Sequence, residues 1–122
     1  MKIKVLLVDD HKIVRKGLVL FLKTQEDIEI VGEAENGEEA LTKVRTARPD
    51  VVLMDLSMPK MDGVEATKQI KKQYPDEKIK ILILTSFSEQ EHVLPALKAG
   101  ANGYKLKEVQ PEQLVEAIQS NI

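Results

Sequence analysis

The chain has 122 residues, with 18 Lys plus Arg against 20 Asp plus Glu and a formal net charge of -2. That length suits one domain that folds without disulfide or metal staples, and the absence of cysteine excludes a disulfide scaffold, a thiolate zinc site, an iron–sulfur cluster and a cysteine nucleophile. A composition of 43% hydrophobic and 31% charged residues is that of a folded globular protein, and the small negative charge argues against electrostatic nucleic-acid binding.

The first apolar run, residues 3–8, is aliphatic and short, as a buried strand is. A helical pattern follows, with Val14, Leu18, Phe21 and Leu22 on one face and Lys12, Arg15, Lys16 and Lys23 left polar. Residues 28–31 form a weaker strand candidate that runs out through Gly32-Glu33-Ala34. Asn36-Gly37 opens a second helix with a stripe of Ala40, Leu41, Val44 and Ala47, stopped at Pro49. Residues 51–54 are the third strand; Asp62-Gly63 then opens a helix with Val64, Thr67 and Ile70 facing inward and Pro75 ending it. Residues 79–84 are the fourth strand. Ser88 and Glu91 have the spacing of a capping box for a fourth helix, whose apolar face is Val93, Leu94 and Leu97 and whose stop is Gly100. Residues 104–106 are the fifth strand, and Pro111 starts a last helix carrying Leu114, Val115 and Ile118. The alternation predicts an α/β domain, a parallel sheet with helices on both faces. No apolar run approaches the roughly 20 residues of a membrane span. The N-terminus lacks a signal-peptide pattern, so a cytoplasmic domain is expected.

Chemistry collects where the strands end. The first is followed by Asp9-Asp10, the third by Asp55, the fourth by Thr85-Ser86 and the fifth by Lys107. In an open parallel sheet these ends lie along one edge, where ligand sites form. Three carboxylates repel one another unless a cation sits among them, and carboxylates completed by water describe a Mg2+ site. A metal ion and a lysine beside an aspartate suit phosphoryl transfer, with the carboxylate as nucleophile. Thr85 or Ser86 offers a hydroxyl to one phosphoryl oxygen. Singly, each residue reads equally well as a loop, cap or surface residue; their convergence carries the inference. His11 and His92 read as surface residues, Met54, Met58 and Met61 as packing, and Lys71-Lys72 and the lysines at 78 and 80 as solvated faces.

Val8-Asp9-Asp10-His11, the stretch from Met54-Asp55 through Pro59 to Asp62-Gly63, Leu84-Thr85-Ser86, and Gly100-Ala101-Asn102-Gly103-Tyr104 with Leu106-Lys107 together resemble a bacterial response-regulator receiver domain. The resemblance covers the whole chain, residues 1–122. It implies a flavodoxin-like (CheY-like), doubly wound, five-stranded parallel sheet of order 2-1-3-4-5 with five helices. It casts Asp55 as phosphoacceptor for a histidine kinase. Mg2+ (or Mn2+) would be held by Asp10, Asp55 and the backbone carbonyl of Ser57, with Asp9 acting through a water. Lys107 would pair with the acceptor and then with the phosphoryl group. Thr85 and Tyr104 would be the switch pair, and Ser57 and Phe87 the positions that tune phosphoryl lifetime. An ordinary receiver sequence often has proline after this lysine; here Glu108 follows, which leaves the peptide conformation there open. Lys105 shares a face with Lys107 by the strand period and is expected on the sheet's rim. Asp-Asp-His, Leu-Thr-Ser and Ala-Gly-Ala-Asn-Gly-Tyr are similar to the NarL/FixJ-type (LuxR-type) transcription regulators. The chain reads either as a receiver standing alone or as the receiver part of a longer protein whose C-terminal helix-turn-helix domain binds DNA, and the second is expected. A phosphorylation-dependent homodimer is implied, with its face open between the first helix and the fourth and fifth. Ile13 reads either as a docking residue for the kinase or as half-buried core.

Two other readings share this architecture. A flavin mononucleotide binder needs a Ser/Thr/Gly-rich loop after the first strand, where Asp-Asp-His-Lys stands, and offers aromatics for stacking, of which this chain has 2 Tyr, 2 Phe and no Trp. A dehalogenase-type phosphatase needs a second aspartate two residues after the nucleophile, where Ser57 stands. A receiver that is never phosphorylated is disfavoured by the complete set Asp10, Asp55, Thr85 and Lys107.

Overall fold

A computed structural model of the chain describes residues 2–75 and 78–120, apart from the side chain of Phe87. Strands β1 (Ile3–Val8), β2 (Ile28–Ala34), β3 (Val51–Asp55), β4 (Lys80–Thr85) and β5 (Gly103–Leu106) form one sheet. All neighbours are parallel and the order is β2-β1-β3-β4-β5, as the resemblance implies. Helices α1 (Lys12–Leu22), α2 (Gly37–Ala47), α3 (Gly63–Gln73), α4 (Val93–Lys98) and α5 (Pro111–Ser120) connect or follow the strands.

The period of two along the central strands divides the core into two layers. Leu6, Val8, Val52, Met54, Ile81 and Ile83 pack with Ala40 and Val44 of α2, Ala66 and Ile70 of α3, and Val93 and Ala96 of α4. Val5, Leu7, Val51, Leu53, Leu82 and Leu84 face the other way, against Val19 and Leu22 of α1 and Leu114 and Ile118 of α5. Because both faces are covered, the strands read as unbroken apolar runs, and all five residues of β3 are buried. Each such aliphatic side chain contributes about 1.5–3 kcal/mol.

Helix starts follow from their caps. Asn36 Oδ1 accepts from Glu39 N and Asp62 Oδ1 from Glu65 N, both at 2.9 Å. The expected capping box at Ser88 does not form. Ser88 Oγ instead lies 3.0 Å from Ser86 Oγ, and Ser86 Oγ donates to Glu89 Oε1. Residues Phe87–His92 form a 3-10 helix, and α4 begins only at Val93. Pro95 supplies the reason: it has no N–H for the Glu91 carbonyl, and its ring crowds that carbonyl, so an α-helix running through from residue 88 is excluded.

Helix α1 departs furthest from its expected face. Val14 is exposed, Val19 is buried, and the supposedly solvated Arg15 is buried. Ile13 is 88% exposed, which removes the core alternative for it. Leu94 and Leu97, expected to face inward from α4, are exposed as well. Lys71 is not a solvated lysine: its Nζ donates to Ile79 O (2.9 Å) and Asn102 Oδ1 (3.0 Å). Lys105 is half-buried on the edge strand β5. No peptide bond among the described residues is cis, including Lys107-Glu108.

Candidate phosphoacceptor and metal site

Sheet register brings the strand ends together. Val8 pairs with Met54, Asp55 with Leu84, and Thr85 with Leu106. Asp9 and Asp55 therefore leave adjacent strands side by side. Lys107 follows β5, its N–H donating to Thr85 O at 2.8 Å. After Asp55 the chain turns back sharply: Gly63 N donates to Leu56 O (2.9 Å), and a Cβ on Gly63 would stand 2.1 Å from Asp55 O. Only glycine lets α3 start this close to the end of β3.

Lys107 Nζ sits between two buried carboxylates, 3.0 Å from Asp55 Oδ1 and 3.3 Å from Asp9 Oδ2. Asp55 Oδ1 also accepts from Leu56 N, and Asp9 Oδ1 from His11 N. One lysine does not balance this group. Asp9 Oδ2, Asp10 Oδ1 and Asp55 Oδ2 are buried atoms with no hydrogen-bond partner. Asp9 Oδ2 faces Lys107 Nζ and Asp10 Oδ1 faces His11 Nδ1, each at 3.3 Å, while Asp55 Oδ2 faces neither; a buried anionic oxygen left so is costly, and among three clustered carboxylates it describes a place for a cation. The donors are all hard oxygens, which suits Mg2+ or Mn2+.

Burial, followed by the charge of Asp9, pushes the Asp55 carboxyl up to about 7; the hydrogen bond and charge of Lys107 offset this only in part. Burial acts to lower Lys107, but the hydrogen bond and charge of Asp55, then Asp9, hold it above its usual value. Thr85 is buried, and its Oγ1 donates to Ser86 O at 3.2 Å. Tyr104 is 45% exposed on the face beside α4. Ser57 is exposed at the mouth.

Sequence reasoning placed Asp9, Asp10, Asp55 and Lys107 together, and they do meet. Three neighbours escaped it. Arg15 Nη1 donates to Asp9 O and its Nε to Glu33 Oε1 (2.9 Å), clamping the end of β1 to β2. Glu89 bonds Ser57 and Ser86; burial acts to raise it, but these bonds and the Lys107 charge bring its carboxyl below the usual value. His11 turns its ring toward Asp9 and Asp10. Arg15 gave no signal of its own, because it stands next to Lys16 and reads with Lys12 and Lys23 as part of a polar face.

Residues 5–119 match the response regulator receiver domain family. The chain is 55% identical over 116 residues to the uncharacterized transcriptional regulatory protein YhcZ of Bacillus subtilis, covering 95% of this chain and 53% of that protein. It is 52% identical over 118 residues to the response regulator protein VraR of Staphylococcus aureus, covering 97% and 56%. The crystal structure of a LuxR-family DNA-binding response regulator from Staphylococcus aureus superposes with a TM-score of 0.89 at 30% identity, covering 98% of each chain. The chain thus spans about half the length of the curated relatives it matches. Among the described residues no helix is long and apolar enough to cross a membrane.

Proposed function

The chain belongs to the response regulator receiver domain family, and on that premise we propose that Asp55 accepts a phosphoryl group from the phosphohistidine of a histidine kinase. The observation that carries this reading is the cluster of Asp9, Asp10 and Asp55 around the Lys107 ammonium, in which the buried Asp55 Oδ2 has no partner among the described residues. Asp10, Asp55 and the carbonyl of Ser57 would hold Mg2+ or Mn2+, with Asp9 reaching it through a water. Such a cation, when bound, supplies neutralising charge for the phosphoryl oxygens.

The residues divide the work. The Asp55 carboxylate attacks phosphorus; the new O–P bond forms as the donor's N–P bond breaks, and the imidazole leaves with the electron pair. Lys107 already lies 3.0 Å from Asp55 Oδ1, so it follows the oxygen charge without a large excursion. The acyl phosphate is lost when water attacks it, and this self-limited turnover makes the domain a switch rather than an enzyme with an external substrate. The phosphoryl group adds about 1.5 to 2 negative charges and three acceptor oxygens. Thr85, whose hydroxyl donates to the neighbouring Ser86 carbonyl, would rotate toward it, and Tyr104 would fill the space released beside α4. The repacked α4–β5–α5 face then transmits the change, and a phosphorylation-dependent homodimer is one route by which it does so.

The half-length match to transcriptional regulators supports a longer protein, with a C-terminal helix-turn-helix output that binds DNA under control of this receiver. The cytoplasm, where ATP-derived phosphohistidine is made, is the compartment this chemistry requires.

Incubation with acetyl phosphate and Mg2+ followed by intact-mass measurement tests the reading. One phosphoryl adduct is expected in the wild type and none in Asp55→Asn or in EDTA. Absence of an adduct with several small phosphodonors overturns the phosphoacceptor assignment.

A further inference from the structure

His11 is the one ring beside the acidic crevice that the phosphoacceptor reading leaves without a task. Its Nδ1 lies 3.2 Å from Asp9 Oδ1 and 3.3 Å from Asp10 Oδ1. The side chain is 62% exposed, so packing does not hold it there. It stands at the N-cap of α1 yet makes no side-chain cap bond, so helix capping does not hold it either. Asp9, Asp10, His11 and Asp55 each offer a ligand atom, and the four atoms all lie within 4.8 Å of one another. A second observation points to a ligand: Asp55, 1% exposed, keeps Oδ2 in this cluster with neither a hydrogen-bond nor an ion-pair partner among the described residues.

An imidazole changes which cation such a cluster prefers. Oxygen donors alone suit Mg2+, which keeps octahedral oxygen coordination and several waters. A nitrogen donor raises affinity for late first-row ions such as Zn2+, Co2+ and Cu2+ and does little for Mg2+. We propose that His11 Nδ1 is a ligand in this centre, and that with the Asp9 and Asp10 carboxylates it lets the site take late first-row divalent cations, Zn2+ foremost, alongside Mg2+. The inference rests on the metal-centre reading above and adds the class of competing cation. Two divalent ions within one cluster of this size repel strongly, so occupancy is exclusive and Zn2+ displaces Mg2+.

The ring's exposure makes the test clean, because His11→Gln removes the nitrogen ligand without opening the core. Calorimetric titration of the intact chain with Zn2+ and, separately, with Mg2+ gives two affinities for each variant. Zn2+ binding is expected to weaken on the order of tenfold to a hundredfold in His11→Gln, while Mg2+ binding stays within about twofold. His92→Gln should leave both unchanged. In the wild type, Zn2+ should move the His11 Nδ1 NMR signal to that of a metal-bound ring nitrogen, whereas Mg2+, held by the neighbouring carboxylates, should cause only the smaller shift of a changed hydrogen-bond partner. Zn2+ affinity equal in wild type and His11→Gln overturns the proposal, as does a parallel loss for both ions, which would make His11 a structural residue. Failure of the wild type to bind Mg2+ sinks the metal-centre reading instead, and the Zn2+ comparison still decides the role of His11.

Discussion

Asp55 has one oxygen on Lys107 and Leu56 N and one with no partner, and its carboxyl is pushed up to about 7. A folded-state pKa raised above the unfolded value of 3.8 means that the native state binds this proton more tightly. Its stabilising contribution is complete below about pH 4 and is lost as pH rises through about 7. The full shift corresponds to about 4 kcal/mol, and solvent screening at this edge reduces the expectation to about 1–2 kcal/mol. In EDTA at pH 8.5, Asp55→Asn should therefore be more stable than the wild type by about that amount, and near pH 4 the two should converge. Ten-millimolar-range Mg2+ should narrow or reverse the gap, because it binds the native wild-type carboxylates. Urea unfolding at the two pH values, with and without metal, checks the sign; a wild type that is more stable in EDTA at high pH contradicts the buried-charge account. At this scale the acids were legible, because a residue directly following a strand has its place set by the sheet. Arg15 and His11 were not. Their roles depend on which way a long or rotatable side chain turns, and Glu33, the partner of Arg15, lies on another strand.

Elements were legible to the extent that local rules met no competitor. Asn36 and Asp62 cap their helices as expected, whereas the Ser88 box lost to Pro95 four residues after Glu91. The apolar face of α1 was misread because the buried Arg15, paired with the half-buried Glu33, occupies a position where the pattern called for solvent. The glycines give a prediction at this scale. Gly63→Ala places a methyl group 2.1 Å from the Asp55 carbonyl oxygen; it should cost about 2–4 kcal/mol and impair phosphorylation together with stability. Gly17, exposed within α1, has nothing within 4 Å of its added Cβ, so Gly17→Ala should raise stability by about 0.5–1 kcal/mol and leave phosphorylation unchanged. Thermal unfolding and acetyl phosphate labelling of both variants decide the point. A neutral Gly63→Ala would show that the α3 start tolerates displacement from β3.

The whole molecule is a sheet with a heavily covered centre and lighter edges; its parallel pairing followed from the βα alternation, and its strand order only from the family resemblance. All of β3 is buried, while every residue of β5 keeps some exposure. The 3-10 segment Phe87–His92 is short and its hydrogen-bond geometry is poor. Native-state hydrogen exchange should accordingly show the greatest protection in β1, β3 and β4 and much less in residues 87–92 and in β5. Equal protection of β5 and β3 amides would remove the basis for treating the β4–α4–β5 side as the adjustable one.

The placement of Lys107 then has a mechanical meaning. The carboxylates Asp9 and Asp55 are anchored at the ends of central strands, and the ammonium between them arrives from the edge strand. The anionic half of the site is its stiff half and the cationic half its compliant one. An anion added between them would repel the first and draw the second, and the two would not move equally. The displacement would go to the side that yields, into β5 and the Tyr104 surface, so the direction in which a signal would leave the site is set by where the domain is soft.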